Sequence, residues 1–204
     1  ITTPESFTKS TPAYFQDAEG NYIYGIAGGT AGQLLYAAVQ KAIDAAAKEA
    51  DYVIALGHLG DDPSSKPWTS EELIANTTGF DAFIDGHSHS TVEMKEVQAK
   101  DGSTVVLTQT GSYFAALGQM TIAADGKITT KLLKAADLAA VTPDAEVAAI
   151  EAEWSTAINE KLGAKIGSIE ATLDNYDASG KRLVRMQETN SGDFAADALY
   201  YLFD

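Results

Sequence analysis

The chain has three histidines, and all of them stand just after short apolar runs. His58 lies in Gly57-His58-Leu59-Gly60, behind Tyr52-Val53-Ile54-Ala55-Leu56. His87 and His89 lie in Asp85-Gly86-His87-Ser88-His89-Ser90, behind Phe80-Asp81-Ala82-Phe83-Ile84. Imidazole is the commonest metal-binding side chain, and a His-x-His pair lets two rings converge on one centre or serve neighbouring ones. His58, His87 and His89 are therefore candidate metal ligands, although a histidine in a polar loop is also an ordinary surface residue. Asp61, Asp62 and Asp85 stand nearby, where carboxylates could bridge cations, orient imidazoles or simply shape turns. A site with three histidines and one water is possible by ligand count alone. Ser88 and Ser112 lack the Gly-x-Ser-x-Gly elbow of a serine nucleophile, and Gly25 to Gly29 with Gly32 matches neither a Walker loop nor a dinucleotide fingerprint.

The elements that would hold these residues read as α/β. Thr30 can cap a helix whose stripe runs Leu34, Leu35, Ala38, Val39, Ala42, Ile43 and Ala46. Residues 52–56 then suit a strand buried on both faces. Thr69 and Glu72 spell a capping box for a short helix through Ile74, and residues 80–84 suit a second strand. Helix, strand, helix, strand predicts parallel strands, whose carboxyl ends are where α/β sheets collect ligands. Beyond them, residues 92–98 and 105–108 predict a hairpin turning at Asp101-Gly102, and residues 120–122 and 128–133 another at Asp125-Gly126. Thr142 with Pro143 opens a long acidic helix with the stripe Val147, Ile150, Trp154, Ala157 and Ile158, ending at Gly163. Asn190 caps a last helix carrying Phe194, Ala198, Leu199 and Leu202.

Composition narrows the chemistry. The 204 residues include no cysteine, which excludes disulfides, thiolate nucleophiles, iron–sulfur clusters and Cys-type zinc sites. With 14 basic and 29 acidic side chains the net charge is −15, which disfavours nucleic acid and any anionic ligand not accompanied by cations. No apolar run approaches the roughly 18 residues of a membrane helix. A hydrophobic content of 45% argues against disorder.

The ordered set Gly57-His58-Leu59-Gly60, Gly86-His87-Ser88-His89 and Thr110-Gly111-Ser112-Tyr113 to Gly118 resembles the later motifs of the calcineurin-like metallophosphoesterases, in their 5′-nucleotidase and UDP-sugar hydrolase branch. Val184-Arg185-Met186-Gln187-Glu188-Thr189-Asn190-Ser191-Gly192-Asp193-Phe194-Ala195-Ala196-Asp197-Ala198 is similar to the opening of that branch's C-terminal substrate-binding domain. The resemblance implies an α/β sandwich with mixed sheets, of which residues 1–136 are the second half. It also implies a linker helix over 137–163 and the start of a second α/β domain over 164–204. It further implies two divalent metal ions, Zn or Mn or similar, in the complete protein, with His58, His87 and His89 among their ligands. Arg185 matches the arginine that contacts the substrate's phosphate, with Arg182 a weaker companion.

The family's Asp-x-His, Gly-Asp and Gly-Asn-His-Asp/Glu motifs, the last carrying the catalytic histidine, precede the matching region, so no catalytic residue is assigned here. Asp85-Gly86-His87 imitates the first in spelling alone. The chain is accordingly expected to be an internal fragment, inactive by itself, of a secreted, periplasmic or cell-surface bacterial hydrolase of nucleotides or nucleotide sugars. It would lack the N-terminal half-domain and the rest of the C-terminal domain. The alternative is a non-catalytic metal-binding or surface-interaction module that keeps the fold.

Overall fold

The computed structural model describes residues 1–6, 10–184 and 186–203. They fall into two compact units, Ile1–Val141 and Thr142–Asp204.

In the first unit, helix α1 spans Gln33–Ala46 and helix α2 spans Ser70–Ala75. The strands are β1 Ile54–Leu56, β2 Ala82–Asp85, β3 Thr91–Gln98, β4 Thr104–Thr110, β5 Ala116–Ile122 and β6 Ile128–Lys134. Four of them form a mixed sheet in the order β1-β2-β4-β3, and β5 with β6 forms a separate ribbon. β1, β2 and β4 run parallel, while β3 returns antiparallel on β4. The expected mixed α/β pattern and both hairpins are present.

Side-chain alternation makes the layers. Phe83, Val105 and Leu107 face Leu35, Val39 and Ile43 of α1 and Leu73 and Ile74 of α2. Ala82 and Val106 point the other way, onto Ile128 of β6 and the half-buried Met120 of β5. The sheet is thus packed between helices and a ribbon.

Four expectations about the elements of this unit need correction. β1 is not buried on both faces: Ala55 is 6% exposed, but Leu56 on the opposite face is 72% exposed. A run of apolar residues has the same spelling whether one face or both are covered, so the difference could not be read from it. Helix α1 starts after Gly32, whose φ of 77° turns the chain where a Cβ would meet the Tyr36 ring, rather than after a Thr30 cap. β5 begins four residues earlier than its apolar core suggests, because its pairing with β6 extends to Ala116 opposite Lys134. Thr69 does cap α2 by accepting from the Glu72 N–H, but the Glu72 carboxylate pairs with Lys66.

In the second unit, helix α3 spans Ala145–Leu162 and helix α4 spans Asn190–Phe203. Asp144, not Thr142, caps α3, its carboxylate accepting from the Glu146 and Val147 N–H groups. At α4 the capping is done by Thr189, whose hydroxyl accepts from the Gly192 N–H. The Asn190 amide instead ties back to the chain, accepting from Asp174 N–H and donating to the Thr172 carbonyl.

Candidate functional site

Both histidine loops leave the carboxyl ends of neighbouring parallel strands, β1 and β2, so their tips lie side by side. Four sets of contacts hold them in register. The buried Asp85 carboxylate accepts from the Leu59 N–H at 2.9 Å and from the Gly60 N–H at 3.0 Å, locking the backbone beyond His58. Ser90 donates its hydroxyl to Asp61 at 2.6 Å. Buried Gln109 accepts from the Ser88 hydroxyl and the Ser90 N–H, fixing the second loop to β4. Finally, the segment 1–3 runs parallel to the first loop: His58 N–H donates to the Ile1 carbonyl and Thr3 N–H to the His58 carbonyl, each at 2.9 Å.

Glycines are required where the loops approach most closely. A Cβ on Gly57 would lie 2.3 Å from the Phe83 ring. Gly60 has a φ of 72°, and a Cβ there would meet the Ser88 nitrogen at 2.9 Å. His87 and His89 themselves have φ values of 78° and 59°. Non-glycine residues pay for that left-handed conformation, and such strain concentrates where a side chain must be aimed.

The structure brings two of the three histidines together. His87 Nδ1 lies 3.2 Å from His58 Nε2, with ring centroids 4.9 Å apart. His89 makes its ring contact with Tyr113 instead, edge-on at 6.2 Å, and acts on His58 through charge. Arg185 lies outside the described residues. His58 has a lowered pKa, first because its ring is partly buried and then because a charged His87 would repel it; Asp85 opposes the shift. A neutral imidazole keeps a lone pair for a cation. The Ser88 and Ser90 hydroxyls beside Asp61 hold its carboxyl below the usual carboxylate range. Of the two, Ser90 makes the direct bond, since the Ser88 proton points at Gln109.

The donor chemistry fits a divalent metal in part. Two nitrogens bound to one cation at about 2.0–2.1 Å stand roughly 3.0–3.4 Å apart, and the His58–His87 separation of 3.2 Å falls in that range. Yet among the described residues no group of three or more His, Cys, Asp or Glu side chains is arranged to hold a metal ion. Asp61 and Asp85 are committed to the loops, and Asp62 accepts from the Ser64 N–H in the turn at Pro63–Ser65.

Sequence reasoning missed two site residues. Glu5 accepts from His87 Nε2 at 3.0 Å across 82 positions of chain, in a segment without periodicity. Gln109 sits in the middle of an ordinary strand pattern, where only its polarity among buried neighbours marks it.

No protein-family model matches the chain. The trifunctional nucleotide phosphoesterase protein YfkN of Bacillus subtilis is 29% identical over 156 residues, which covers 72% of this chain and 10% of that protein. The chain thus spans about a tenth of the length of the curated relative it matches. Among solved structures, a 5′-nucleotidase precursor from Thermus thermophilus is 21% identical with a TM-score of 0.53, over 81% of this chain and 34% of that one. The calcineurin-like phosphoesterase structure of YfkN from Bacillus subtilis is 20% identical with a TM-score of 0.46, over 64% and 45%. The chain is thus similar in sequence to a nucleotide phosphoesterase, and the Thermus structure shares its fold.

Proposed function

We propose that the parent protein is a metal-dependent phosphoesterase acting on nucleotides, of the 5′-nucleotidase, UDP-sugar hydrolase or cyclic-nucleotide phosphodiesterase type. The observation that carries this reading is the His58–His87 pair, 3.2 Å apart at adjacent parallel-strand ends, in a chain similar to a nucleotide phosphoesterase. His58, His87 and His89 would contribute to two divalent cations, which when bound offset phosphate charge and activate water. Such cations also answer how a chain of net charge −15 accepts an anionic substrate. Arg185 is proposed as a phosphate contact, because a guanidinium fork matches two phosphate oxygens. Residues 1–136 would serve as the second half of the catalytic domain, 137–163 as linker helix and 164–204 as the opening of the substrate domain. With two facing imidazoles as its paired donors, the chain alone is expected to be inactive. Secretion or surface attachment is supported by the Thermus thermophilus protein being a precursor; no described helix is long and apolar enough to cross a membrane.

A second reading, a non-catalytic binding module, is favoured by the lack of any three-ligand group among the described residues. Hydrolysis of AMP, UDP-glucose and 2′,3′-cyclic AMP by the intact parent protein, with Mn²⁺ or Zn²⁺ and after chelation, separates the two. The enzyme reading expects turnover that chelation abolishes. It also expects His87→Ala to lower kcat/KM about 100-fold or more, the equivalent of about 2.7 kcal/mol or more of transition-state stabilisation. Turnover indifferent to His87→Ala would sink it, and a metal-loaded protein that hydrolyses none of the three would favour the module.

A further inference from the structure

We propose that Glu5 is a positioning residue for the candidate metal pair: its carboxylate accepts a hydrogen bond from His87 Nε2–H and so turns a bare Nδ1 toward His58 and the cation. This rests on the reading of His58 and His87 as cation ligands and extends it to a residue outside the histidine loops. Glu5 Oε2 lies 3.0 Å from His87 Nε2 and 2.7 Å from the Ser65 hydroxyl oxygen. Its side chain is 14% exposed and that of His87 18% exposed, so water competes little for the contact.

A carboxylate only accepts, so both Ser65 and His87 must donate to it. A neutral imidazole has one N–H, and if Nε2 carries it, Nδ1 holds the lone pair. That lone pair faces His58 Nε2 at 3.2 Å, where two bare nitrogens would repel unless a proton or a cation lay between them. With both rings neutral, His58 Nε2–H donates to His87 Nδ1, and a cation held by the two nitrogens would displace that proton to His58 Nδ1. Carboxylate, imidazole and cation in line is the arrangement by which an outer acceptor fixes a ligand's tautomer and ring orientation.

The backbone explains why Glu5 can be so placed. Thr2 bridges to His58, and Thr3 N–H donates to the His58 carbonyl, so Glu5 begins two residues from a clamp on His58 itself. A turn closed by Ser6 N–H on the Thr3 carbonyl then swings the Glu5 side chain back over the second loop. One short segment thus fixes the backbone of one histidine and the tautomer of the other.

The test combines ¹⁵N NMR of the imidazoles in the metal-free intact protein with equilibrium dialysis against Mn²⁺ or Zn²⁺. Wild type should show His87 as the Nε2–H tautomer. Glu5→Ala should shift His87 toward the Nδ1–H form and weaken cation binding about 10- to 100-fold. Glu5→Gln, whose amide oxygen can still accept, should restore the tautomer and most of the affinity. An unchanged His87 tautomer in Glu5→Ala overturns the positioning role whatever the metal does. If Glu5→Ala lowers affinity as far as His87→Ala and Glu5→Gln rescues nothing, Glu5 is itself a ligand and the role is again overturned. If instead the tautomer shifts but His87→Ala leaves cation binding intact, the orientation stands and the metal reading fails. Should Glu5→Ala not fold, Glu5→Met, which keeps the side-chain bulk and removes the acceptor, decides the matter: a shift of His87 toward the Nδ1–H form supports the role, and an unchanged tautomer overturns it.

Discussion

Asp85 stands inside Asp-Gly-His, a spelling that invites a metal-ligand reading, yet its oxygens are spent on the backbone N–H groups of Leu59 and Gly60. Its work is to bring the His58 loop over the end of β2. Asp85→Ala would leave those buried donors without an acceptor, at about 1–3 kcal/mol for each orphaned group. A lower midpoint in urea unfolding is expected, together with loss of the His58–His87 contact in imidazole NMR spectra. Unfolding at the wild-type midpoint would show that the loop does not depend on this carboxylate. At this scale the sequence was half legible. Imidazoles at strand ends announce themselves by type and place, whereas Glu5 and Gln109 reach the site through tertiary contacts that leave no pattern along the chain.

Among the elements, β1 and β2 act as two parallel posts whose following loops are stitched by Asp61 to Ser90 and by Ser88 to Gln109. The Asp61 stitch gives a pH dependence of definite sign. Its folded pKa is depressed by the Ser88 and Ser90 hydroxyls. The stabilisation is therefore complete above the ordinary carboxylate pKa and is lost as pH falls through the lower folded value. The stability difference between wild type and Asp61→Asn should shrink as the pH drops through and below the carboxylate range. A difference that stays constant or grows on acidification would reverse the sign. The parallel strands and Asp-Gly hairpins were readable because period and turn chemistry agree locally. The capping sites shifted by one or two residues, since Thr, Pro and Asp crowd the start of α3 and Thr and Asn that of α4, and each can serve. The open face of β1 was hidden because hydrophobicity reports what a residue prefers, not what covers it.

For the whole molecule, a charge of −15 disfavours any anion that comes without cations, and the three histidines are the imidazole donors the chain offers to such cations. Similarity to a nucleotide phosphoesterase, over a tenth of that protein's length, supports the proposed function. Metal content addresses it most directly. After loading with Mn²⁺ or Zn²⁺ and desalting, elemental analysis of the intact parent protein should find two ions per chain, falling to one or none in the His58→Ala, His87→Ala double variant. An equal metal content in wild type and double variant would contradict a metal centre built on this pair.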